Sequence, residues 1–154
     1  MTRTAQAATF DASAGESHMR MSDEQYFRSC VAKERRLAHL LGHQNIEECY
    51  ESAGTLWAGA QALPQWTRDW RACGPLLAHY QIGIGWDASS AVDANHPHHA
   101  GLAVRAGATR ILLADHPTPD RALMFAVVRE VIRVLEHPSA AKPTPVLPTR
   151  NLQQ

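Results

Sequence analysis

Apolar positions recur along this chain with two rhythms, and the places where one gives way to the other mark its elements. Phe27, Cys30, Val31, Leu37, Ala38 and Leu41 follow one another at helical spacing, while Lys33, Arg35 and Arg36 occupy the other face. Ser22 and Gln25 are spaced as a capping box, and Met21 and Tyr26 as the hydrophobic staple that goes with it. Gly42 is a natural stop, so the pattern predicts a helix over 23–41. Asn45, with Glu48 three residues on, then reads as a second N-cap. Ile46, Cys49, Tyr50, Ala53, Trp57 and Ala60 share a helical face behind it. A second helix is expected there, weakened at Gly54 and ended by Leu63-Pro64.

The pattern shortens after that. Thr67 is placed to cap a single turn carrying Trp70, and Gly74-Pro75 to open a short helix reaching about Tyr80, because proline at the first helical position sacrifices no hydrogen bond. Ile82, Ile84 and Trp86 alternate with Gln81, Gly83, Gly85 and Asp87, the period of a strand with one buried face. Residues 101–105 and 109–114 pair as a hairpin across Gly107. Thr118 as cap, Pro119 at the first position and Asp120 beside the positive end of the dipole start a last helix. Met124, Val127, Val128, Val131, Ile132 and Leu135 are its apolar face, and His137-Pro138 its end.

This order predicts an α+β fold: N-terminal helices followed by a helix-β-β-β-helix unit with a small antiparallel sheet covered on one face by helices. The expected domain is 22–137, divided into a helical arm over 22–62 and an α-β-β-β-α unit over 64–137. Residues 1–21 have no apolar run of the secretory kind and read as a disordered leader. Residues 138–154, with Pro138, Pro143, Pro145 and Pro148, read as a flexible tail.

Composition narrows the function classes. A chain of 154 residues with 45% apolar content holds one core. Lys+Arg and Asp+Glu both number 15, and this balance gives no global attraction to nucleic acid or to an anionic membrane. No segment reaches the roughly 20 apolar residues of a membrane span. Cys30, Cys49 and Cys73, odd in number and widely spaced, suit reduced thiols, so a cytoplasmic location is expected.

Local chemistry is sparse. His96, His98 and His99, with Asp93 nearby, form the sharpest cluster, and imidazole binds zinc, nickel and copper. Yet the spacing lacks the partners of a structural zinc site, and a polar loop is the plainer reading. Asp115-His116 suggests an acid–base pair but reads more simply as a strand-to-helix connection. Cys73 stands just ahead of the expected helix start, with His79 six residues on as an imagined base. GxSxG, Walker A and GxGxxG elements are missing. No catalytic residue, metal or cofactor is therefore assigned. Trp66 and Trp70, four residues apart, fall on one side of a turn beside Asp69. They serve either as a clamp, with Asp69 bonding a nearby backbone N–H or Arg, or as a binding surface. In the second case the site is Trp66, Asp69, Trp70, Gly74 and Pro75.

The same stretch, "WTRDWRACGPLLAHYQI", resembles the Asp-Trp…Gly-Pro segment of the NinX-like proteins, a small family of unknown function found in phages and prophages. The matching residues are Asp69, Trp70, Gly74 and Pro75, then Ile82. "PTPDRALMFAVVREVI" is similar to the family's C-terminal amphipathic helix through Pro119, Ala122, Met124 and Val128. The resemblance covers about residues 64–136 and implies a phage-derived accessory protein of the bacterial cytoplasm, with no known substrate or catalytic residue. Taken together, the first expectation is a non-enzymatic interaction module with an unknown protein partner, and a homodimer formed through the N-terminal helices. The second is a small metal-dependent enzyme built on His96, His98, His99 and Asp93. The third is a nucleic-acid module using Arg28, Lys33, Arg35 and Arg36, ranked last because the total charge is neutral.

Overall fold

In the computed structural model, which describes residues 21–88 and 101–138, capping chemistry sets both long helices. Helix α1 spans Asp23–Leu40, and its capping box is complete. The Gln25 N–H donates to Ser22 Oγ at 3.2 Å, and the Ser22 N–H donates to Gln25 Oε1 at 3.0 Å. Helix α3 spans Pro119–Glu136, with the Thr118 hydroxyl accepting from the Arg121 N–H and Pro119 in its first turn. Between them lie β1 (Ile46–Cys49), β2 (Thr55–Ala58), β3 (Gln61–Ala62), helix α2 (Trp70–His79), β4 (Ile84–Ala88), β5 (Leu102–Ala106) and β6 (Thr109–Leu112). Short 3-10 turns occupy Tyr50–Ser52 and Leu113–Asp115. The chain is α+β, with two antiparallel sheets ordered β1-β2-β3 and β4-β5-β6. No helix among the described residues is long and apolar enough to cross a membrane.

The second helix of the expected arm does not form. Residues 46–62 make a three-stranded meander instead, with Ile46 opposite Ala58, Cys49 opposite Thr55, and Ala58 opposite Gln61. Backbone conformations exclude the helix. Asn45, Ala53, Gly54 and Gly59 all have positive φ, which a right-handed helix never uses. Gly59 opens a two-residue hairpin loop of the kind that needs positive φ. Gly54 has a second constraint, since a Cβ there would stand 2.5 Å from Phe27 Cζ. Leu56 and Leu63 enter the core from this region, and Ile46 of the predicted stripe packs against its margin.

Two further expectations change. Helix α2 runs unbroken through Gly74 and Pro75, and its N-cap is Asp69, whose carboxylate accepts from the Arg71 N–H at 2.9 Å. Thr67 does not cap this helix; it lies two residues before the N-cap, and its N–H and hydroxyl both donate to Glu34. The alternation at Ile84 and Trp86 does mark a strand, and these side chains share a face with Val104, Ala106, Thr109 and Ile111. Helix α3 packs over β5 and β6, however, so β4 lies at the margin and Trp86 is 51% exposed.

The core is organised around α3. Ala122, Met124, Ala126, Val127, Val128 and Val131 are buried against residues of α1, α2, β5 and β6 in one cluster that also takes in Leu56. Helices α1 and α3 lie side by side in the same direction. Tyr26 meets Phe125 near one pair of ends, and Arg36 binds Glu136 near the other. Cys30, Val31, Leu37 and Ala38 of the α1 stripe are buried in this cluster, and Leu41 at its end is exposed. The expected leader and tail, apart from Met21 and Pro138, and the loop with Asp93, His96, His98 and His99 lie outside the described residues.

Candidate functional site

Three polar clusters are set into this apolar frame, and each joins elements. Glu34, 1% exposed, sits on the apolar stripe of α1. Its Oε1 accepts from the Thr67 N–H at 3.1 Å and the Thr67 hydroxyl at 2.6 Å. Arg68 donates to the same carboxylate through Nε at 3.2 Å and Nη2 at 2.7 Å. Its Nη1 reaches the Ala53 carbonyl at 2.7 Å, and its guanidinium lies 5.2 Å from the centre of the Phe27 ring. One arginine thus ties α1, the turn before β2 and the segment leading into α2. The second cluster repeats this logic. Glu130 on α3 accepts from the Ala108 N–H at 3.2 Å, the Thr109 hydroxyl at 2.8 Å and the Arg133 guanidinium at 2.9 and 2.7 Å. Burial alone would raise the Glu130 pKa, but the bonds from Arg133, Thr109 and Ala108 outweigh it and hold the carboxyl below its ordinary range. Gly107, at φ +58°, lets the hairpin come this close: a Cβ there would stand 2.7 Å from Glu130 Cδ.

The third cluster borders open space. A cleft of about 550 Å³ lies between the first half of α1, β6 with the turn after it, and α3. Its floor is Tyr26, Phe125 and His116, and Ser29, Arg110 and Arg129 stand around it. The His116 ring meets Tyr26 edge-on at 5.2 Å and lies 5.0 Å from Phe125. His116 Nδ1 is 3.0 Å from the Tyr26 hydroxyl. Burial lowers the His116 pKa, partly opposed by the Asp115 carboxylate, and burial raises that of Tyr26. Both groups are therefore uncharged at neutral pH and share one hydrogen bond.

A second chamber of about 380 Å³ adjoins the first, and Arg110 and Arg129 line both. Lys33, Arg133 and His137 contribute to it. Its charges are unevenly compensated. Arg133 is bound to Glu130, and Glu136 to Arg36. Arg110 approaches Asp87 only to 3.9 Å. Lys33 and Arg129 have no ion-pair partner among the described residues.

The residues singled out from sequence are scattered. Trp66 is 5% exposed and belongs to the core, while Trp70, at 40%, faces solvent at the start of α2, so the two rings form no common face. Asp69 caps α2, with Gly74 and Pro75 inside it. Cys73 is fully buried, its thiol pKa pushed up to about 12 by burial, and His79 stacks edge-on with Tyr80. Of the basic set on α1, Arg28 and Arg35 lie 3.9 and 3.4 Å from Glu48, and Arg36 lies 2.7 Å from Glu136. Only Lys33 opens into the cleft. No group of metal-ligating side chains gathers among the described residues. The chain matches no family model, curated protein or solved structure in comparison with known proteins.

Proposed function

We propose that this chain is a non-enzymatic binding module that takes its ligand in the cleft between α1, β6 and α3. The observation that carries this reading is the adjacency of an aromatic floor to two cations without ion-pair partners among the described residues, Lys33 and Arg129. A concave site with a mostly apolar base and a few convergent polar groups is where ligands bind most often. His116 and Tyr26 are suited to hold a proton between them rather than to move one, since burial makes the imidazole a weaker base and the phenol a weaker acid. The similarity of Asp69, Trp70, Gly74 and Pro75 to the NinX-like segment supports placing the module among phage or prophage accessory proteins of the bacterial cytoplasm.

A backbone-amide NMR screen against a small library of neutral, cationic and anionic compounds tests the reading. Shifts confined to the surroundings of Ser29, Arg110, His116 and Arg129 are expected. Shifts gathered instead around Trp70 or Trp86, with the cleft silent, would overturn it.

A further inference from the structure

The two chambers differ in chemistry, and that difference specifies a ligand. In the first, the floor is apolar and aromatic, its polar pair is neutral, and Asp115 contributes a carboxylate to the wall. Its cations, Arg110 and Arg129, are shared with the second chamber, and the uncharged His116 adds little for an anion. Lys33, Arg110 and Arg129 line the second chamber, while its own Glu136 is bound to Arg36. Of these cations from α1, β6 and α3, Lys33 and Arg129 have no ion-pair partner among the described residues, and Arg110 reaches Asp87 only at 3.9 Å, a carboxylate it shares with Arg105. A single carboxylate would balance one of them. A phosphomonoester, with roughly −1.5 to −2 charge at pH 7 and three terminal oxygens, suits all three.

Resting on the cleft being the ligand site, we propose that it binds a small phosphomonoester carrying an aromatic group. The phosphate is seated among Lys33, Arg110 and Arg129, and the ring lies over Tyr26 and Phe125. Because Arg110 and Arg129 line both chambers, they serve both halves of such a ligand.

Phenyl phosphate, inorganic phosphate and benzyl alcohol, titrated separately into the full chain and followed by NMR, test this assignment. Phenyl phosphate is expected to move resonances of both chambers and to bind at least tenfold more tightly than inorganic phosphate, which moves only the Lys33–Arg129 end. Arg129→Ala and Lys33→Ala, both at solvent-accessible helix positions, are expected to weaken phenyl phosphate tenfold or more and to leave benzyl alcohol unchanged. Benzyl alcohol binding the cleft as tightly as phenyl phosphate would overturn the phosphomonoester assignment while leaving the cleft as a ligand site. Unchanged phenyl phosphate affinity in both variants would do the same. If no probe moves a cleft resonance, this assignment fails, and the cleft reading fails with it when the wider library is also silent.

Discussion

Two glutamates on apolar helix faces decide how the segments of this chain are joined. A carboxylate removed from water is costly unless its partners are complete, and removing one partner leaves a buried charge unbalanced. Glu34 receives four hydrogen bonds, two from Thr67 and two from Arg68. Glu34→Ala leaves Arg68, only 8% exposed in its side chain, without its counter-ion. The expected loss is about 3–5 kcal/mol, read as a lower denaturation midpoint at an unchanged slope. Titration sets a second expectation at this scale. The His116 pKa is depressed from 6.5 in the folded chain, so the unfolded chain binds the proton more readily. Stability is then level above that value and declines as pH falls through it. Glu130, depressed from 4.5, adds a further decline below that pH. Chemical denaturation at a series of pH values checks both steps, and His116→Gln, which keeps a hydrogen-bonding partner for Tyr26, is expected to abolish the first and keep the second.

At the scale of elements, the helices that carry their own caps are legible in the sequence. Ser22 with Gln25 and Thr118 with Pro119 act within a few residues, so local pattern suffices to find α1 and α3. The β5–β6 hairpin is legible for the same reason, through Gly107. The meander over 46–62 is not, because its shape depends on distant groups. Ala53 adopts the left-handed conformation at φ 51°, and Arg68, fifteen residues on, holds its carbonyl. The candidate site was hidden similarly. His116, Tyr26, Arg110 and Arg129 come from three elements, and no spacing links them. The one available signal was Glu34 and Glu130 interrupting apolar stripes, which marks a buried ion pair rather than a ligand site. Helix α2 supplies the sharpest test at this level. Were Pro75 at a helix start, replacing it would change little. In the interior of α2 it removes the bond to the Arg71 carbonyl, and its ring is exposed, so little packing depends on it. Pro75→Ala is therefore expected to stabilise the fold by about 1–2 kcal/mol, somewhat less than the full helix-interior penalty of about 3 kcal/mol because the unfolded chain gains freedom. A higher thermal midpoint is the readout.

For the whole molecule, α3 is the shared wall. Its apolar face builds the core against α1, α2 and the β4-β5-β6 sheet, while Phe125 and Arg129 line the cleft beside β6. Core and candidate site thus depend on one helix and share Phe125, while Arg129 serves the site alone. Arg129 is exposed and its loss leaves the buried cluster intact. Neutral net charge is compatible with an anion site of this kind, since the cations of α1 other than Lys33 are matched by Glu48 and Glu136. The calorimetric affinity of phenyl phosphate for the wild-type chain and for Arg129→Ala, at low and at physiological salt, tests this account most directly. Measurable binding by the wild type, weakened by salt and at least tenfold weaker in the variant, with the two proteins equally stable, is the predicted result. Equal affinities in the two proteins, or binding indifferent to salt, would contradict it.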